Sequence, residues 1–136
     1  MELNPYLLFG GDCATAFKFY EQLLGGKGLM MMTHRESPAA QHTSPEWQDK
    51  IIHARMLVGE YTLMGSDAPP GHFNKPQGFS VSIQIDDPAE GERIFNALAE
   101  NGNVMMSYAQ TFWSRGFGMC VDQFGIPWMV NCEQEP

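Results

Sequence analysis

The sequence predicts an α+β chain built from two βαβββ modules, and three observations carry that expectation. Two amphipathic helical stripes lie 75 positions apart in a chain of 136 residues. Each stripe follows an Asp at a helix start, and each precedes a Gly or Asn break. Each helix is also preceded by one strand-like segment and followed by three.

The elements follow in order. Residues 3–9 (LNPYLLF) read as a first strand, which Gly10 and Gly11 break. Asp12 suits a helix N-cap. Ala16, Phe19, Tyr20, Leu23 and Leu24 then recur at helical spacing, and Gly25 and Gly26 end the helix. Residues 28–34 (GLMMMTH) form the next strand. Residues 35–49 (RESPAAQHTSPEWQD) are polar, carry two prolines and are expected to form a long mobile loop. Residues 50–58 and 61–66 are strands around a turn at Gly59 and Glu60. Residues 68–77, rich in proline, join module 1 (1–67) to module 2 (78–136) within a single domain.

The second half repeats this order. FSVSIQI (79–85) alternates apolar and polar residues, as a half-buried strand does. Asp87 caps a helix with Pro88 at its first position. Its stripe is Gly91, Ile94, Phe95, Leu98 and Ala99, and Asn101 and Gly102 close it. Strands at 103–109, 115–121 and 126–132 complete the module, with a turn at 122–125. A helix on one side of each small sheet leaves the other face in need of cover. Two such faces would enclose a mostly apolar hollow suited to a small molecule. The segments that would line it are rich in methionine and tryptophan: ten Met occur in the chain, and Met packs irregular shapes.

Composition excludes several classes. The formal charge is -8 and the few basic residues are scattered, which disfavours nucleic-acid binding. No run reaches the roughly 20 apolar residues of a membrane span. The N-terminus lacks the pattern of a secretory signal. Cys13, Cys120 and Cys132 form no CxxC pair, so a reduced cytoplasmic setting is expected and the thiols are read as inert.

The stretches NPYLLFGGDCATAFKFYEQLLGG (4–26), IIHARMLVGEYTLMGSD (51–67), FSVSIQIDDPAEGERIFNALAENGNVMM (79–106) and TFWSRGFGMCVDQFGIPWMVN (111–131) resemble the vicinal oxygen chelate (glyoxalase/bleomycin resistance/dioxygenase) superfamily, and within it the PhnB-like group. The resemblance implies paired βαβββ modules, usually in a homodimer. Members of the group often carry the description 3-demethylubiquinone 3-methyltransferase. No glycine-rich dinucleotide-type or S-adenosylmethionine-type loop supports that chemistry here. Metal-binding members of the superfamily place His, Gln or Glu on the first and last strands of each module. The matching positions hold Pro5, Ser80, Met129, and Leu63 or Met64, which are poor ligands for a divalent ion. No metal or other cofactor is therefore expected.

The candidate ligand-binding residues are His53, Arg55, Met64, Asp67, Trp113, Trp128 and Met129. His53 and Arg55 are two apart and share a sheet face, where they would suit a carboxylate- or phosphonate-bearing ligand or simply face solvent. Asp67 either joins that set or starts the turn into Ala68. Trp113 would wall a ligand hollow or a dimer interface. Trp128 and Met129 point to opposite faces of the last strand, and the family register favours Met129 as lining. His42 and His72 lie in predicted loops, and His34 ends a strand beside the 35–49 loop. The leading expectation is a small-molecule binder without metal, similar to antibiotic-sequestering members and suited to hydrophobic cations and aromatic compounds. The alternatives are a lyase, isomerase or dioxygenase with a non-standard divalent metal site, and a structural or regulatory dimer.

Overall fold

A computed structural model describes residues 1–133 of the chain. They fall into two compact units, Met1–Asn74 and the residues from Lys75 onward. The first contains β1 (Tyr6–Phe9), α1 (Cys13–Leu24), β2 (Lys27–Thr33), β3 (Ile51–Val58) and β4 (Tyr61–Asp67). The second contains β5 (Val81–Gln84), α2 (Pro88–Ala99), β6 (Asn103–Ala109), β7 (Ser114–Val121) and β8 (Pro127–Glu133). Each unit is thus a βαβββ module with a four-stranded sheet, ordered β1-β4-β3-β2 in one and β5-β8-β7-β6 in the other. In both, the first strand pairs parallel with the last, and the remaining pairs are antiparallel. Among the described residues no helix is long and apolar enough to cross a membrane.

The helices sit on one face of each sheet because their stripes demand cover. In α2 the buried set is Gly91, Ile94, Phe95 and Leu98, close to the expected stripe. In α1 it is Cys13, Ala16, Phe17 and Tyr20, so the stripe is rotated from the expected one. Phe17 is buried in place of Phe19, and Leu23 and Leu24 are only half-buried. The structural repeat of the stripes therefore runs 13 to 91, 16 to 94, 17 to 95 and 20 to 98, an offset of 78 in place of 75. Close approach of ring to strand explains the shift. A Cβ on Gly65 of β4 would stand 2.7 Å from the Phe17 ring, and one on Gly118 of β7 would stand 2.8 Å from the Phe95 ring. Burial of each such ring contributes about 1.5–3 kcal/mol, and a strand glycine is what lets the ring seat.

Two other expectations change. Asp12 occupies the cap position of α1, but its side chain makes no capping bond. The carboxylate of Asp67 does the work instead, accepting from Cys13 N at 3.0 Å and from Ile51 N at 2.9 Å. Asp87 does cap α2 locally, accepting from Ala89 N at 3.0 Å. Residues 35–49, expected as a mobile loop, contain two 3-10 turns, Pro38–His42 and Pro45–Trp47. Backbone bonds at the loop base join His34 N to Lys50 O and Arg35 N to Gln48 O. Inside it, the Gln48 amide donates to Ala40 O and Thr43 O. Lys50 ties this segment to the β1–α1 turn by donating to Gly11 O at 2.8 Å.

Candidate functional site

Strand alternation divides each sheet into a helix-covered face and an open face. On β8, Trp128, Val130 and Cys132 are buried while Pro127, Met129 and Asn131 are half-exposed. On β7 the buried positions are Ser114, Gly116, Gly118 and Cys120. Met119 pairs with Met129 across the β7–β8 ladder, and Met106 of β6 pairs with Met119. A row of thioethers therefore crosses the open face of the second sheet.

This face carries a cavity of about 510 Å³. Its floor includes Met105, Met119 and Met129, and its wall is the segment Lys75–Ser80, which precedes β5. All of its lining residues belong to the second unit. Lys75 is the one charged lining residue, and Gln77, Ser80 and Asn103 supply polar atoms. Trp113 adjoins the same face, its ring 5.5 Å from that of Phe117, the β7 partner of Asn131.

The open face of the first sheet has a different character. Tyr6 of β1, Met64 of β4, Arg55 of β3 and Met30 of β2 lie in one register line, with His53 and Met32 one step along. Tyr6 reaches across β4 to His53. Its hydroxyl and the imidazole Nδ1 are 3.1 Å apart, and the rings stack at 5.8 Å. Tyr6, Leu8, Met30, Met32 and Leu57 of this face are all exposed.

The sequence candidates therefore separate. His53, Arg55 and Met64 come together on the first sheet, and Met129 lies on the second with Trp113 beside it. Asp67 and Trp128 lie elsewhere. Asp67 is 4% exposed, with both carboxylate oxygens taken by backbone N–H groups. Trp128 is 1% exposed on the helix side, and its Nε1 donates to Asp122 at 2.8 Å. Asp122 also accepts from Phe124 N and Ile126 N, which pins the β7–β8 turn. Of the other histidines, His34 is buried, with Nδ1 3.4 Å from the Thr43 hydroxyl, and His42 and His72 are exposed.

Cys13 and Cys120 are poor nucleophiles. Burial first, then the Asp122 charge, pushes Cys120 up to about 11. Burial, then Asp67 and Asp12, pushes Cys13 higher still. The positions at which metal-binding relatives carry ligands do not fit an ion. Ser80 and Met129 line the cavity with one hydroxyl and one thioether, Leu63 is buried, and Met64 and Pro5 offer no hard donor. Among the described residues no three His, Cys, Asp or Glu side chains converge as a metal site would require.

A family model described as 3-demethylubiquinone-9 3-methyltransferase matches residues 1–131. The chain belongs to that family. It is 36% identical over 145 residues to Protein YjdN of Escherichia coli (strain K12), covering 100% of this chain and 99% of that protein. The crystal structure of protein PA1353 from Pseudomonas aeruginosa is 47% identical with a TM-score of 0.89, covering 99% of each chain. The PhnB protein from Bacillus cereus shares the fold at 20% identity and a TM-score of 0.74, over 97% of this chain and 99% of that one. Solved glyoxalase/bleomycin resistance/dioxygenase family members from Burkholderia phytofirmans and Frankia share the fold, at 14% and 11% identity and TM-scores of 0.62 and 0.66.

Tyr6, Met119 and the cavity wall at Lys75–Phe79 were not singled out from sequence as site residues. Tyr6 and Met119 sit at strand positions whose parity was readable, so alternation alone assigns each to a face. What parity does not give is the partner: Tyr6 meets His53 across an intervening strand.

Proposed function

We propose that this PhnB-like protein binds a small, largely apolar organic molecule on the open face of its second sheet, with no metal ion taking part. The observation that carries the reading is the cavity of about 510 Å³ floored by Met105, Met119 and Met129. Its size falls in the range of ligand pockets, and thioether side chains adapt to irregular ligands. The charge pattern narrows the class. The chain has twice as many acidic as basic residues, 16 against 8. Yet no Asp or Glu lines the cavity. A neutral or anionic apolar ligand therefore suits it better than the hydrophobic cation that the sequence led us to expect.

The test is methionine-methyl NMR on protein labelled at its Met methyl groups, titrated with neutral, anionic and cationic aromatic compounds. Binding shifts the Met105, Met119 and Met129 resonances and raises the unfolding temperature as ligand linkage requires. If none of these three resonances moves with any compound at millimolar concentration, the reading fails.

A further inference from the structure

The first sheet holds a second feature, on the other unit from that cavity. Its four strands contain one carboxylate, Asp67, which lies on the helix side with both oxygens bonded. No strand residue on its open face is thus acidic, in a chain of charge -8, and that face presents His53 and Arg55. Arg55 is exposed and makes no hydrogen bond or ion pair among the described residues. Around it lie Tyr6, Met30, Met32 and Met64. A guanidinium left unpaired over an apolar surface is a fork awaiting a planar anion.

We propose that this face is an anion-binding site for a small organic carboxylate with an apolar body. Arg55 is the charged anchor, His53 the second donor and Tyr6 the positioning residue. The Tyr6 hydroxyl engages Nδ1 of His53, which leaves Nε2 as the nitrogen open to a ligand. With Tyr6 donating to Nδ1, the ring proton resides on Nε2, and that nitrogen becomes a donor. A bound carboxylate selects this arrangement, since it accepts and cannot donate. The stack of the two rings holds the imidazole plane while this happens. The methionines take the apolar body.

Naphthalene-2-carboxylate serves as the probe, with naphthalene-2-carboxamide as its uncharged isostere and naphthylmethylammonium as its cationic counterpart. The carboxylate is expected to move the methyl resonances of Met30, Met32 and Met64 and the His53 ring signals. The amide is expected to bind at least about tenfold more weakly there, and the ammonium more weakly still. Arg55→Gln, at an exposed position, should lower carboxylate affinity at least about tenfold and leave amide affinity unchanged. Tyr6→Phe keeps the ring stack and removes the hydroxyl, so it should weaken the carboxylate and spare the amide. Equal binding of carboxylate and amide at these methyls overturns the proposal, as does an Arg55→Gln protein that binds the carboxylate normally. Shifts confined to Met105, Met119 and Met129 also overturn it while leaving the cavity reading intact. No shift at Met30, Met32 or Met64 at millimolar carboxylate overturns it as well.

Discussion

The carboxylate of Asp67, last residue of β4, accepts the backbone N–H of Cys13, first residue of α1, at 3.0 Å across 54 positions of sequence. Its other oxygen holds Ile51 N at the start of β3. One side chain thus closes a helix terminus and joins it to two strands. Helix N-termini carry unsatisfied donors, and a buried one left bare is costly. Asp67→Ala strands both N–H groups, and urea unfolding should show a loss of about 3 kcal/mol. Asp67→Asn keeps one acceptor oxygen and should lose about half of that. A loss under about 0.5 kcal/mol for Asp67→Ala would show that water replaces the carboxylate.

Tyr108 of β6 gives a prediction in which one substitution changes the cost of another. Its hydroxyl donates to Pro88 O at 2.8 Å, and burial raises its pKa. A Cβ on Gly91 of α2 would come 2.7 Å from that hydroxyl, whereas the ring carbon that bears it is 3.5 Å away. Gly91→Ala adds a better helix former, worth about 1 kcal/mol, but forces the tyrosine aside. In the native background it should destabilise by about 1–2 kcal/mol. With Tyr108→Phe the obstructing oxygen is gone and the Ile85 Cγ2 methyl, at 3.1 Å, becomes the nearest neighbour, so the same substitution should cost clearly less. The thermal denaturation midpoints of the four proteins measure the coupling. Additive effects would refute the clash.

Much of the fold could be read from sequence because it depends on periodicity. Apolar stripes, strand alternation and Gly or Asn breaks are local signals, and they placed both helices and all eight strands. The failures have a common cause. Phe17 was passed over because its seat depends on Gly65, 48 positions later and on another strand. Asp12 looked like a cap because it sits where caps sit, but the first helical N–H, that of Cys13, is taken by Asp67 from the end of β4. The two prolines and many polar residues of 35–49 suggested mobility, while the glutamine that bonds its interior carries no pattern. The candidate residues behave likewise. Alternation fixes the face of Met129 relative to Trp128, but not which face the helix covers. The Tyr6–His53 pair needs the strand order β1-β4-β3, a tertiary fact.

The raised thiols bear on alkaline stability. Cys120 ionises in the unfolded chain near its ordinary value of 9.0 and in the folded chain only at about 11. Between those values the folded state holds the extra proton, so stability falls as pH rises. Below about pH 9 the thiol is neutral in both states and contributes no slope. Cys13, shifted in the same direction, adds to the fall. Urea midpoints should therefore decline from about pH 9 towards 11, and Cys120→Ala should decline less steeply. At pH 8 the native protein should react with a disulfide reagent far more slowly than the protein in urea. Rapid labelling of a native thiol at that pH would contradict the burial.

Trp128 and Met129 are neighbours with opposite consequences. The Trp128 ring is 1% exposed beneath α2 and bonds Asp122, so Trp128→Ala removes a large core side chain and one donor to a buried carboxylate. Its cost should be about 3–5 kcal/mol. Met129 is half-exposed on the other face, pairs with Met119 and lines the cavity. Met129→Glu removes no helix contact, so the unfolding free energy should stay within about 1 kcal/mol of the native value. The new carboxylate, however, enters a lining that has no acid and a single lysine. An apolar ligand there must desolvate it, and an anionic one is repelled as well. Calorimetric affinity for any compound that shifts the Met119 methyl should fall at least about tenfold, with the larger loss for anions. Unchanged affinity would move the binding site off this face. Unfolding as severe as that of Trp128→Ala would mean that Met129 belongs to the core.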